Sequence, residues 1–209
     1  MVELLRHSSS AVQTPALRAV GNIATGDDFQ TQTVISCGLL TVLPTLFNHP
    51  KKSIRKEVMW TISNITAGNR SQIQEVIDAQ IFPKLIEAIS SKSSESPDVK
   101  KEIFWSCANA LEGGSDEQVK YLINSGVIEP FCDVLTIADA KVLSVGLEGL
   151  QAILRHAEKT ETLEVVRTQI EEYGGVEYLE NLQTHPNTEI YEKAVNILEN
   201  YFIEEEDEV

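Results

Sequence analysis

Two triplets of a carboxylate, an indole and an amide recur in this 209-residue sequence with the same internal spacing. They are Glu57, Trp60 and Asn64, at positions i, i+3 and i+7, and, 45 residues later, Glu102, Trp105 and Asn109. Residues at this spacing share one face of an α-helix. Arg18 and Asn22 occupy the indole and amide positions 42 residues before the first triplet. The sequence therefore predicts parallel rows of these side chains on neighbouring helices.

The chemistry of such rows suits one class of ligand. An asparagine amide has donors and an acceptor, so it can pair with both the N–H and the C=O of an extended peptide. Indole rings form flat walls against which a Lys or Arg stem can lie, with a cation–π attraction of about 0.5–2 kcal/mol. Helices about 8–10 Å apart match two or three residues of a strand that rises about 3.3 Å per residue. With glutamates nearby, the predicted ligand is short, extended and basic.

Each residue type in the triplets also has a structural explanation. A tryptophan at a regular helical position usually packs in a core, and a mid-helix asparagine often forms a structural hydrogen bond. Such an asparagine could also tie one repeat to the next and still reach a ligand. A lone glutamate is usually solvated. Because Ile, Val and Cys already fill the core positions of these helices, the recurrence of the whole triplet favours the binding interpretation.

The segments that carry the triplets belong to an internal repeat. They are TPALRAVGNIATG (14–26), SIRKEVMWTISNITAG (53–68) and DVKKEIFWSCANALEGG (98–114). A second signature lies between them, around Ile35, Ile77, Ile123 and Ile170, at separations of 42, 46 and 47. A period of about 40–47 residues with two or three helices is typical of HEAT or armadillo units, which bury their apolar faces by stacking.

Apolar spacing predicts the buried side of each long helix. Ile54, Val58, Ile62 and Ile65 recur at i, i+4, i+8 and i+11 on one helical face. The equivalent core residues are Ile103, Cys107 and Ala110 in the next copy, and Ala16, Val20 and Ile23 in the first. Helix breaks are expected at Gly38, Gly68 and Gly113–Gly114, and a mobile polar loop at Ser90–Pro97.

Later copies of the repeat lack the triplet. Leu147 and Gln151, and then Val195 and Glu199, stand where Trp and Asn are expected. The peptide groove should therefore end near Asn109.

Charge is distributed unevenly along the chain. Residues 1–109 hold 11 Lys+Arg and 10 Asp+Glu, whereas residues 110–209 hold 6 and 22, for a net charge of −15. An acidic half disfavours nucleic acid and suits basic partners. We expect no metal site, because Cys and His are scattered, and no cofactor, membrane span or catalytic residue, because the usual motifs are missing.

The quoted segments resemble a known family. TPALRAVGNIATG, WTISNITAG and the closing GGVEYLENLQTHPNTEIYEKAVNILENYF are similar to the C-terminal armadillo repeats of importin-alpha (karyopherin-alpha). The resemblance covers nearly the whole chain. It implies an all-α fold, a right-handed superhelical solenoid of about four to five armadillo repeats over residues 1–203, followed by an acidic tail, residues 204–209.

The resemblance also implies a function and a site. The family comprises nuclear import adaptors that bind the Lys/Arg-rich nuclear localisation signals of cargo at two stretches of a concave face. The smaller of these, the minor site, matches Arg18, Asn22, Trp60, Asn64, Trp105 and Asn109, with Glu57 and Glu102 as acidic partners. Gly26 and Thr31 match loop positions that contact the peptide backbone or a Lys. Arg18 stands where a tryptophan could be, and would limit how far a basic peptide extends.

Further partners are implied in the same way. The final repeats of the family bind an export receptor, so the chain is expected to shuttle between cytoplasm and nucleus. The basic importin-beta-binding arm and the early repeats do not appear in this sequence, so we expect a fragment that does not recruit importin-beta directly. The alternative is an armadillo scaffold of the junctional or signalling type. The grooves of that type are basic, and the glutamates of the triplets argue against it.

Overall fold

Short and long helices alternate along the chain. The computed structural model describes residues 1–203, and the predicted acidic tail lies outside them. The α-helices of the described part are α1 (Ser10–Ala24), α2 (Asp28–Ser36), α3 (Leu39–Val42), α4 (Lys52–Thr66), α5 (Arg70–Asp78), α6 (Ile81–Ile89), α7 (Pro97–Gly113), α8 (Asp116–Asn124), α9 (Ile128–Asp133), α10 (Ala140–Lys159), α11 (Leu163–Glu172), α12 (Gly175–Leu182) and α13 (Thr188–Tyr201). Three 3₁₀ helices accompany them: Val2–Arg6, Leu43–Leu46 and Val134–Thr136. After α1, two short helices and one long helix follow each other four times, which confirms the predicted all-α repeat.

The chain forms two compact units, residues 1–118 and 119–209. In the first unit the long helices pack in sequence order, α1 against α4 and α4 against α7, while the short helices α2, α5 and α6 pack beside them. In the second unit α10 packs against α9, α11 and α13. No helix of the described residues is long and apolar enough to cross a membrane.

The long helices of the first unit bury the face that the apolar spacing predicts. Ile54, Val58, Ile62 and Ile65 of α4 are fully buried. The equivalent residues of α7, Ile103, Cys107 and Ala110, are also fully buried. Ala16 and Val20 of α1 are buried as well. The prediction is wrong for Ile23, which is 38% exposed. In the part of the chain that the structure describes, α4 packs between two long helices, α1 and α7, whereas α1 packs against one long helix, α4, and the 3₁₀ helix Val2–Arg6.

The helix breaks occur where the glycines predict them. Gly38 separates α2 from α3 with a φ of +83°, a left-handed conformation that glycine adopts without steric cost. Helix α4 ends two residues before Gly68, and α7 ends at Gly113 with Gly114 as its C-cap. Gln80 takes the left-handed position before α6, with a φ of +53°. The repeat thus keeps one backbone turn even where it lacks the glycine.

The polar segment before α7 is more firmly held than the sequence predicts. Lys100 donates to the carbonyl oxygens of Ser90 and Ser93 at 3.1 and 3.0 Å. Arg55 of α4 forms two bonds with the Glu95 carboxylate, at 2.8 and 2.9 Å. Helices on both sides therefore fix this loop.

Candidate functional site

The predicted rows lie on α1, α4 and α7, the three long helices that pack side by side in the first unit. We call this surface the α1–α4–α7 face. The tryptophan row consists of Arg18, Trp60 and Trp105, and the asparagine row of Asn22, Asn64 and Asn109. Trp60 is half-buried and Trp105 is 37% exposed, so neither ring is a core residue. Of the asparagines, the first is exposed and the other two are half-buried.

A cation of the chain itself occupies the first position of the tryptophan row. The guanidinium carbon of Arg18 lies 5.5 Å from the centre of the Trp60 ring. Its Nη2 is 2.6 Å from Oε1 of Glu57. The indole and the carboxylate of one triplet thus bind the same guanidinium, one through its ring face and the other through its charge.

Close contact between α1 and α4 makes this arrangement possible. A methyl group on Gly21 would overlap the Trp60 ring and lie 2.9 Å from Oγ1 of Thr61. The absence of a side chain at this position therefore lets the indole lie against the backbone of α1.

The asparagine row joins the long helices to one another. Asn64 Nδ2 donates to the carbonyl oxygen of Gly21 at 3.4 Å, and Asn109 Nδ2 donates to that of Ser63 at 3.0 Å. Each bond joins a long helix to the preceding long helix of the chain. An amide has two N–H groups and an acceptor oxygen. One N–H is used in each tie, which leaves the second N–H and Oδ1 available to a ligand.

Two partly buried carboxylates lie on the same face. The side chains of Glu57 and Glu102 are each 16% exposed. Oε2 of Glu57 is buried and has no hydrogen-bond partner in the described part of the chain. Burial raises the pKa of Glu102, and the charge of Glu57 adds to this, while Lys56 at 3.9 Å and Lys101 oppose it. Removal of such charges from water is unfavourable unless a cation compensates. Arg18 already compensates Glu57, so Glu102 is the carboxylate suited to an incoming ammonium or guanidinium group.

The two predicted loop residues, Gly26 and Thr31, differ in exposure. Gly26 is exposed, and a Cβ there would overlap the amide of Gln30. Thr31 is 3% exposed, and its hydroxyl donates to the carbonyl of Ala24 at 3.1 Å. The side chain of Thr31 is therefore used to close the end of α1, and only Gly26 offers an accessible surface. Buried hydroxyls of this kind cannot be distinguished from exposed ones by sequence spacing.

Three G-x-x-x-Q segments were missed by the sequence analysis. They follow the three long helices as Gly26–Gln30, Gly68–Gln72 and Gly114–Gln118. In each, the residue after the glycine caps the next short helix, and the glutamine returns its side-chain oxygen to that residue's N–H, a capping box. The signal was present, since Asp, Asn or Ser three residues before Gln is a known helix start.

The second unit continues the repeat without the triplet. Leu147 is fully buried, so it offers no exposed wall, and Gln151 donates to Oδ1 of Asn196 at 3.1 Å. Of the last copy, Val195 is half-buried and Glu199 exposed.

A Ser–Lys contact in the second unit has the geometry but not the charge state of a catalytic pair. Lys193 donates to Ser144 Oγ at 2.7 Å and to Glu148 and Glu189 at 2.6 and 2.8 Å. Burial alone would lower the pKa of Lys193, but its hydrogen bonds to the two carboxylates outweigh burial and raise it. The amine is therefore protonated and cannot act as a base toward the hydroxyl. The described residues contain no group of three or more His, Cys, Asp or Glu side chains that could hold a metal ion.

Comparisons with known proteins place these observations in a family. Residues 27–67 match the armadillo/beta-catenin-like repeat, and residues 164–209 match the atypical Arm repeat. The whole chain is 50% identical to importin subunit alpha-1b of Oryza sativa subsp. japonica and 48% identical to importin subunit alpha-4 of Arabidopsis thaliana. It spans about 40% of the length of these relatives.

Solved structures agree on the fold. A designed armadillo repeat protein in complex with the peptide (KR)4 superposes with a TM-score of 0.82 at 30% identity, over 96% of this chain and 80% of that one. A second designed armadillo repeat protein gives 0.81 at 31% identity, over 95% and 79%. The armadillo-repeat fold predicted from the sequence is thereby confirmed. The chain belongs to the armadillo-repeat proteins, and over its whole length it is similar to part of the alpha subunits of importin.

Proposed function

We propose that the α1–α4–α7 face binds Lys/Arg-rich extended peptides, and that these are the nuclear localisation signals of cargo carried by an import adaptor. The observation that carries the proposal is the contact of Arg18 with Trp60 and Glu57. It is an intramolecular example of a guanidinium bound by one triplet. The next triplet offers the same groups, Glu102 and Trp105, to a cation from outside.

A peptide would use the two rows differently. Its basic side chains would lie along the tryptophan row, with their stems against the indoles and their charged ends toward Glu102, since Arg18 already pairs with Glu57. Its backbone would pair with the second N–H and Oδ1 of Asn64 and Asn109, the atoms not used between helices. Backbone pairing is independent of sequence, so specificity for Lys and Arg would come from the rings and carboxylates. Gly26, at the end of α1, would allow the peptide close approach.

Known proteins support the proposal at two levels. The relatives at about 50% identity are named as alpha subunits of importin. The designed armadillo protein that shares this fold was solved with a peptide of alternating Lys and Arg. From the family resemblance, we further propose that the later repeats contact an export receptor and that the protein moves between cytoplasm and nucleus.

The direct test is fluorescence anisotropy with a labelled Lys/Arg-rich peptide and a control peptide in which Gln replaces each cation. We expect binding of the basic peptide only, with an affinity that falls as salt rises. Trp60→Ala and Trp105→Ala should each weaken binding about tenfold, through loss of a ring face and its cation–π contact. Phe29→Ala is the matched control, because Phe29 is a 79% exposed ring on α2 that belongs to neither row.

Two results would contradict the proposal. One is equal binding of the basic peptide by the parent and both tryptophan variants. The other is no binding by the parent at low salt, which would leave the fold unchanged and direct attention to the acidic second unit.

A further inference from the structure

The G-x-x-x-Q segments do more than begin helices. Gln72 is fully buried, and its Nε2 donates to the carbonyl oxygen of Asp28 at 2.9 Å. Gln118 is 6% exposed, and its Nε2 donates to the carbonyl oxygen of Arg70 at 2.8 Å and to Oε1 of Gln74 at 3.0 Å. Each glutamine therefore reaches into the preceding repeat.

The two acceptor carbonyls are equivalent. Asp28 is the first residue of α2, and Arg70 is the first residue of α5. A glutamine at the third position of one short helix thus bonds to the first turn of the short helix before it. Gln30, in the first segment, has the cap, with Oε1 accepting from Asp27 N at 3.2 Å, but no bond to another repeat in the described part of the chain.

Each junction between repeats is fixed at several points. Between the α4 and α7 repeats, Lys52 and Arg55 bond to Asp98 and Glu95 near the N-terminal ends of the long helices, and Asn109 bonds to Ser63 within the α1–α4–α7 face. The bond from Gln118 to Arg70 joins the same two repeats beyond the C-terminal ends of the long helices. Asn64 and Asn109 lie near those C-terminal ends, so the Gln118 bond constrains the end of the junction that carries the asparagine row.

We propose that Gln118 is a positioning residue, which sets the spacing between the Trp60/Asn64 and Trp105/Asn109 pairs so that one peptide fits both. This inference rests on the proposed function, since the peptide defines what the spacing is for. A ligand that spans two pairs benefits only if they are already held at the matching distance, because ordering them on binding costs affinity. The affinity of a ligand that reaches only one pair should not depend on the spacing.

Gln118→Glu separates the two tasks of the side chain. A glutamate keeps an oxygen for the N–H of Ser115, so the cap remains. It cannot donate to the carbonyl of Arg70 or to Gln74, so the bond between repeats is lost. Gln30→Glu is the charge-matched control, because it makes the same change where no such bond exists. Gln118→Met and Gln30→Met repeat the comparison without an added charge.

Binding is followed at the indole N–H resonances, which report each pair separately because the chain has 2 tryptophans. The ligands are a Lys/Arg peptide of about eight residues, long enough for two pairs, and a Lys-Arg dipeptide amide, which reaches one. For Gln118→Glu we expect the longer peptide to bind roughly threefold to tenfold more weakly and the dipeptide to be unaffected. For Gln30→Glu we expect neither to change. Equal loss for both ligands, or an equal effect of the control, would overturn the positioning role.

A measurement without peptide keeps this inference separate from the proposed function. Spin labels at Ser53→Cys on α4 and Glu112→Cys on α7, with exposed Cys37 replaced by Ser, report the distance between the two helices. We expect a broader distance distribution for Gln118→Glu than for the parent and Gln30→Glu. If the parent binds no peptide, the proposed function fails, and the width of this distribution still decides whether Gln118 fixes the junction. An unchanged width contradicts that role.

Discussion

The guanidinium of Arg18 lies 5.5 Å from the centre of the Trp60 ring, so the chain fills the first cation position of its own tryptophan row. The same guanidinium pairs with Glu57 at 2.6 Å, although the arginine side chain is 59% exposed. Because the arginine of this pair is largely exposed, we expect the pair to contribute little to stability. We expect the contact to affect which ligand the proposed site accepts more than it affects the fold.

Removal of this internal cation should extend the site. We expect Arg18→Ala to bind a Lys/Arg peptide with an additional cation about two- to fivefold more tightly, since the Trp60 ring and Glu57 become available. Anisotropy titrations with peptides of two lengths would measure the change, with Arg6→Ala as the control for loss of one exposed arginine. The interpretation fails if the longer peptide gains nothing, or if the control gains as much.

The asparagine row should contribute to binding through the peptide backbone. We expect Asn64→Ala combined with Asn109→Ala to weaken binding about tenfold, because two amide contacts are lost. The helix content, measured by circular dichroism, should not change. Asn48→Ala, at an exposed asparagine outside the rows, serves as the control. Equal affinity of the double variant and the parent would remove the asparagines from the site.

Binding should weaken in mild acid through Glu102. Burial raises the pKa of this carboxyl group, so the folded free protein favours its protonated form over a higher pH range than an exposed glutamate does. A bound cation favours the carboxylate, and binding therefore releases a proton when pH is near the raised pKa. We expect peptide affinity to fall as pH is lowered from about 7 to about 4, the range above and around the ordinary glutamate pKa.

Glu102→Gln tests this linkage. The variant should bind about threefold to tenfold more weakly at neutral pH and show a flatter pH profile, because one titrating charge is gone. Glu87→Gln, at an exposed carboxylate on α6, should retain the parent profile. An unchanged profile in the Glu102 variant would assign the pH dependence to another group.

The contact between α1 and α4 should be sensitive to a single methyl group. Gly21→Ala places Cβ against the Trp60 ring, and we expect a loss of about 1–3 kcal/mol in the free energy of unfolding. Gly113→Ala is the matched control, since its Cβ would meet only Ile73 Cδ1 at 3.6 Å, an ordinary contact. There we expect no loss, or a gain of up to about 1 kcal/mol from helix propensity. Denaturant unfolding of both variants measures the difference. Equal stability would mean that α1 and α4 separate at little cost.

Periodicity predicted the repeat and most of the core because both depend on local spacing. The fully buried face of α4, from Ile54 to Ile65, follows directly from positions i, i+4, i+8 and i+11. Ile23 occupies the same slot in α1 but is 38% exposed, because burial also depends on which helix lies alongside. Spacing within a segment carries no information about that neighbour.

The face on which the candidate site lies was predictable from the sequence, but the contacts that its side chains make were not. The spacing of Glu57, Trp60 and Asn64 places them on one helical face, and the structure agrees. The contact of Arg18 with Trp60 joins residues 42 positions apart and depends on their side-chain conformations. The inward direction of Thr31 depends on how α1 ends, because its hydroxyl bonds to the carbonyl of Ala24. The capping boxes that contain Gln72 and Gln118 could have been predicted from the sequence. The bonds that the same side chains donate to the preceding repeat could not.

The bonds from Asn109 to the Ser63 carbonyl and from Asn64 to the Gly21 carbonyl join successive repeats of the first unit in the same way. The asparagine donor belongs to the later repeat and the carbonyl acceptor to the backbone of the earlier repeat. A duplicated repeat therefore contains both a donor for the repeat before it and an acceptor for the repeat after it. An array built in this way can lengthen by duplication without any new interface having to arise. The same copy adds one more amide to the asparagine row, so duplication would lengthen the scaffold and the proposed peptide site together.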